Sequence, residues 1–180
     1  MTYDLLVKEC RLIRHNTVTH CNIAVREGRV AALVEPGETP SATRIIDAGG
    51  RHVIPGLIDT HVHFGNAGNP FDQDCRTESR AAATGGVTTL LVFAFPHSVG
   101  HPAPPNFRYD DILPDRKRAV EEHSLVDVMF HLGILHPTYV SDIRYYAEKF
   151  QIRSFKAFRS RKSTRLNSSH IQKSRMPSSA

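Results

Sequence analysis

The run Val53-Ile54-Pro55-Gly56-Leu57-Ile58-Asp59-Thr60-His61-Val62-His63-Phe64 constrains this chain more than any other stretch. A Pro-Gly turn leads into aliphatic and β-branched residues, and polar side chains collect only toward the end. Side chains of an extended strand alternate faces, so residues two apart point the same way. The spacing therefore puts Asp59, His61 and His63 on one face, with Ile58, Thr60 and Val62 on the other. Two imidazoles about 7 Å apart along a strand can close on one metal ion. A carboxylate just below them suits a supporting or ligand role. Taken alone, a His-x-His at a strand end also fits an exposed polar terminus. The setting favours the metal site, because an apolar strand that turns polar only at its C-terminal end is where an α/β barrel carries its chemistry.

From residue 53 onward strands alternate with helices. Residues 53–63 read as a first strand, and Asp72 or Asp74 is placed to cap a helix that runs to Thr84 and stops at Gly85-Gly86. Residues 87–94 form a continuous apolar run, as in a parallel strand covered on both faces. A loop with Pro96, Pro102, Pro104 and Pro105 leads to a helix near 110–124, then a strand over 127–134. Pro137 fits the first turn of a helix whose Val140, Ile143, Ala147 and Phe150 recur at helical spacing, and 154–158 reads as a fourth strand. This rhythm predicts βαβ units in a parallel sheet. Upstream, residues 4–8, 21–34 and 44–48 read as strands of a small all-β unit, with a hairpin at Arg26-Glu27-Gly28.

Asp47-Ala48-Gly49-Gly50 followed by Val53–His63 resembles the first barrel strand of the amidohydrolase superfamily, and within it the cyclic amidases: dihydropyrimidinases, hydantoinases and allantoinases. Arg80–Thr89 is similar to that family's first helix and its Gly-Gly-x-Thr-Thr turn. Asp127–Leu132 and Ser154–Phe158 are similar to its third and fourth strands, so the likeness covers residues 3–158 in order. The resemblance implies an α/β fold: part of a small β-sandwich in residues 1–52, then the first half of a metal-dependent (β/α)₈ barrel in residues 53–158. Such a barrel needs about 250 residues, so the chain reads as truncated. The family completes the sandwich with strands from its far C-terminus, so an exposed edge is expected here.

The same resemblance implies His61 and His63 as ligands of the more buried metal. Zinc suits imidazole and carboxylate ligands, and manganese, iron and cobalt stay open. Lys156 stands between Phe155 and Ala157-Phe158 in an apolar strand, where desolvation favours a neutral amine able to add CO₂. The alternative is a snorkelling side chain. In the family the equivalent lysine is carboxylated and bridges two metal ions, here two Zn²⁺ per subunit, which makes Lys156 both a metal ligand and a catalytic group.

The implied activity is hydrolysis of a cyclic amide C–N bond, opening a dihydropyrimidine or hydantoin ring, in a homotetramer. Allantoinases and dihydroorotases share the ligands. Non-catalytic dihydropyrimidinase-like scaffold proteins lose them, so His61, His63 and Lys156 speak for an enzyme. His131 reads as a core histidine or one supporting a ligand, His97 as a loop residue, and Phe64 and Phe71 as weak pocket candidates. After Phe158 the family continues Met-Ala-Tyr, with a substrate-holding tyrosine, where this chain has Arg159-Ser160-Arg161. Two further histidines and the aspartate that acts as general base belong to strands five, six and eight of the family. The fragment itself is therefore expected to be inactive.

The chain carries 23 basic and 18 acidic residues, a net charge of +5. Six of the basic residues (Arg159, Arg161, Lys162, Arg165, Lys173 and Arg175) fall in the acid-free segment 159–180. Without them the balance is 17 basic to 18 acidic, so a nucleic-acid partner is not expected. That segment holds seven serines in 22 residues and no apolar period, and it resembles a translated sequencing adapter; it reads as a non-native or disordered tail. Three cysteines without metal-type spacing, no signal peptide and no apolar run of ~20 residues predict a cytoplasmic protein with no membrane association.

Overall fold

Two pairs of left-handed residues shape the first part of the molecule. His15 (φ 47°) and Asn16 (φ 64°) join β1 (Tyr3–Arg14) to β2 (Thr17–Arg26), and Glu27 (φ 52°) and Gly28 (φ 69°) join β2 to β3 (Arg29–Val34). Two positive φ angles in a two-residue loop are the type I′ geometry that matches strand twist. The second hairpin is the one expected from the sequence. The first was not anticipated, since His-Asn is a weak turn signal. In the structure, a computed structural model, residues 2–65, 68–95 and 107–157 are described. The proline-rich loop, His97, Phe158 and the basic tail lie outside the described residues.

The chain divides into two units between Pro55 and Gly56. In the first, β4 (Ala42–Asp47) and β5 (His52–Val53) pair parallel to β1, giving the order β3-β2-β1-β4 with β5 also on β1. A bulge in β1 puts Glu9 at φ 54°. Buried Asn22 holds it, accepting the Glu9 N–H at 2.9 Å and donating to the Glu38 carbonyl at 2.7 Å. Cys10, Cys21, Ile23 and Ala48 form the core of this unit. Its outer strands carry exposed Val30, Leu33, Ile45 and Ile46. All three cysteines are free and buried, and burial pushes each thiol up, away from reactive thiolate.

The second unit alternates β6 (Leu57–Val62), α1 (Phe71–Thr84), β7 (Val87–Ala94), α2 (Leu113–His123), β8 (Asp127–Ile134), α3 (Ile143–Phe150) and β9 (Ser154–Ala157). The strands lie parallel in the order β6-β7-β8-β9. Three details differ from the sequence reading. The first strand is shorter than 53–63, because Val53 pairs with Leu12 in the other sheet and Pro55 has no N–H to give. Neither Asp72 nor Asp74 caps α1, whose N-cap is Pro70. The helix expected from Pro137 is a 3₁₀ turn over Pro137–Val140 followed by α3, with Val140 exposed and Tyr146 and Phe150 facing the core.

Gly56 answers a steric demand. A Cβ there would lie 2.1 Å from Thr88 Oγ1, so the approach of β7 requires glycine. The next residue donates its N–H to the Gly86 carbonyl at 3.0 Å, tying β6 to the turn that stops α1. Helices and sheet enclose Leu90, Val92, Phe130 and Leu132 with Cys75, Leu113, Tyr146 and Phe150. Buried Tyr109 crosses this core, donating its hydroxyl to the Gly133 carbonyl at 2.7 Å and its backbone N–H to the Tyr146 hydroxyl at 3.1 Å. Among the described residues no helix is long and apolar enough to cross a membrane.

Candidate metal centre

Phe93, near the C-terminal end of β7, is the hub of the candidate site. The rings of His61 and His63 lie 4.7 and 4.9 Å from its centroid, and 5.4 Å from each other. His131 stacks on it at 4.9 Å, and the Lys156 ammonium sits 5.6 Å from the same ring. Strand order explains the convergence. Phe93 on β7 is register partner of His131 on β8, and Lys156 enters from β9 two positions beyond the partner of His131. The three residues singled out in the sequence, His61, His63 and Lys156, thus surround one aromatic ring. Phe95 extends the wall, stacked on His63 at 5.8 Å and on Phe93 at 5.5 Å.

The strand bearing the histidines is not regular. Asp59 pairs with Leu90 and Val62 with Val92, so Thr60 and His61 together oppose Leu91. This bulge interrupts the simple alternation expected of Asp59, His61 and His63. The Asp59 carboxylate accepts the His61 backbone N–H at 3.0 Å, so it steadies the strand at His61. Just beyond His63 a second carboxylate holds the chain: buried Asp74, from the first turn of α1, accepts the Gly65 N–H at 2.7 Å and the Asn69 side-chain amide at 2.9 Å. Phe64 is buried in the core, so it serves packing rather than a pocket, and half-buried Phe71 packs edge-on against it at 5.6 Å.

Behind the aromatic wall, Arg116 of α2 donates to the Phe95 carbonyl at 2.9 Å and lies 5.0 Å over the Phe71 ring. Burial holds its guanidinium down at about 10. Phe93, Phe95, Asp74 and Arg116 were not foreseen from the sequence. For Phe93 and Phe95 a signal existed, since residues two apart at the end of a parallel strand face the same way as its chemistry. Nothing local marks the other two, whose partners come from other elements.

No protein-family model matches the chain. An allantoinase from Bacillus velezensis is 34% identical over 164 residues, covering 91% of this chain and 34% of that protein. A dihydroorotase from Methanothermobacter thermautotrophicus is 37% identical over 157 residues, covering 87% of this chain and 32% of the other. The solved L-hydantoinase (dihydropyrimidinase) from Arthrobacter aurescens superposes with a TM-score of 0.64 at 31% identity, over 81% of this chain and 31% of that one. The chain belongs to the cyclic-amidase branch of the amidohydrolases.

The amidohydrolase chain spans about a third of the length of these relatives. Its sheet β6-β7-β8-β9 is the first half of a (β/α)₈ barrel, and the cluster around Phe93 lies toward the strand ends where such barrels carry their sites. The amidohydrolase donor set fits one side of a metal centre: two adjacent imidazoles, and an amine that becomes an oxygen ligand only on carboxylation. Among the described residues no three His, Cys, Asp or Glu side chains gather for a metal ion.

Proposed function

We propose that the whole protein hydrolyses the C–N bond of a small cyclic amide, opening a dihydropyrimidine or hydantoin ring. The convergence of His61, His63 and Lys156 on Phe93 carries this reading. His61 and His63 would hold the more buried of two zinc ions, with carboxylated Lys156 bridging the pair. When bound, zinc supplies Lewis acidity toward the amide carbonyl and lowers the pKa of a water to near neutrality.

The chain's own residues prepare that chemistry. Lys156 reacts with CO₂ only as the neutral amine, losing a proton as the N–C bond forms, and it stands half-buried beside Phe93. Phe93 and Phe95 pack flat against His63 and exclude water from its flank. Asp59 and Asp74 hold the backbone on either side of the ligands. Two imidazoles and one carbamate leave a second metal short of ligands, so the 180-residue chain alone is expected to be inactive. The whole protein is proposed to be a cytoplasmic homotetramer.

An allantoinase or dihydroorotase substrate would use the same ligands, and the allantoinase likeness covers 91% of the chain. The deciding assay offers the full-length protein, loaded with zinc and bicarbonate, hydantoin, dihydrouracil, allantoin and dihydroorotate. Turnover of hydantoin or dihydrouracil that vanishes in His61→Ala and Lys156→Ala supports the proposal. Turnover confined to allantoin or dihydroorotate moves the substrate assignment, and no turnover of any of the four makes the protein a scaffold.

A further inference from the structure

The bulge in β6 sets two residues, Thr60 and His61, against Leu91 alone. A bulge interrupts the regular ladder locally. At this point His131 reaches in from β8, two strands away, with Nε2 3.2 Å from the Thr60 carbonyl oxygen. A carbonyl only accepts, so Nε2 must carry the proton. The same imidazole presses on Phe93 at 4.9 Å, the ring against which His61 and His63 pack.

We infer that His131 is a positioning residue for the metal-ligand pair. It holds the Thr60 carbonyl at the bulge and so fixes the turn of backbone from which His61 projects, while bracing the wall the ligands share. This rests on the reading of His61 and His63 as metal ligands. A third-ligand role fits less well, because the nitrogen that reaches toward β6 is already committed to a carbonyl. Simple core filling fits less well too, since His131 is only half-buried and reaches a polar atom across a strand. Groups that orient metal ligands change metal affinity about 10–100-fold when removed.

The test uses the 180-residue chain. Histidine-selective ¹⁵N NMR without metal should show His131 as a single Nε2–H tautomer. Zinc titration, with cobalt absorption as a second readout, then compares the wild type with His131→Phe, which keeps a ring on Phe93 without a donor, and with His131→Gln, which keeps an N–H donor without the ring. His131→Phe should bind zinc about 10–100-fold more weakly and shift the cobalt bands, and His131→Gln should recover most of the affinity. An Nδ1–H tautomer, or His61-dependent binding unchanged in His131→Phe, overturns this inference alone, as does equal loss in both variants. Zinc binding that is absent, or indifferent to His61→Ala, overturns the metal reading and this inference with it.

Discussion

Replacing Asp74 by alanine should loosen the backbone behind the metal-ligand pair at a measurable cost in stability. Asp74 is 6% exposed, and its carboxylate accepts two hydrogen bonds, from the Gly65 N–H at 2.7 Å and from Asn69 Nδ2 at 2.9 Å. Hydrogen bonds to a charged group contribute about 1.5–3 kcal/mol each, and the two share one acceptor group, so their sum overstates the loss. A negative charge in the first turn of α1 adds up to about 1 kcal/mol through the helix dipole. Asp74→Ala should therefore cost about 3 kcal/mol, a little over a hundredfold in the unfolding equilibrium. Asp74→Asn keeps one acceptor oxygen and should cost about 1–2 kcal/mol. Urea unfolding followed by circular dichroism measures both, with the slope against denaturant expected to stay constant. Zinc affinity should fall with stability in the same order, because Gly65 lies two residues past His63. An alanine variant within about 0.5 kcal/mol of wild type would refute the clamp, since surface changes without a structural role stay inside that range.

Other outcomes follow from the same structure. Tyr109→Phe removes the donor to the buried Gly133 carbonyl and should cost about 1–3 kcal/mol in the same urea assay. Gly56→Ala forces a Cβ into Thr88 and should cost about 1–3 kcal/mol, with partial recovery in the double variant Gly56→Ala/Thr88→Ala. Burial alone would raise the Asp110 carboxyl, but hydrogen bonds from Lys149 and Tyr145 and the charges of Lys149 and Arg108 hold it at about 2. A depressed carboxyl adds stability above its unfolded pKa near 3.9, and that stability is lost as the pH falls through about 2. For this surface network the loss between pH 4 and pH 2 should be about 1 kcal/mol, and acid titration of Asp110→Asn should show a flatter limb.

How far the sequence could be read depended on whether an interaction was local. The βα rhythm, the Gly85-Gly86 stop, the Arg26-Glu27-Gly28 hairpin and the placing of His61, His63 and Lys156 at strand ends rest on periodicity and turn chemistry within a few residues. Phe64, which follows the ligand strand and suggested a pocket, belongs to the core, because exposure after a strand depends on how α1 folds back over it.

The pattern of apolar and polar residues was enough to define a parallel βα sheet carrying a histidine pair on its first strand and a lysine on its fourth. The pairing of strands added what no window of sequence contains. It made Phe93 the common wall of three histidines and a lysine, placed a bulge at Thr60-His61, brought His131 across β7 to the Thr60 carbonyl, and set Asp74 behind Gly65. Each of these contacts joins residues on different elements, so its energy depends on register and packing, and neither is a property of the local chain.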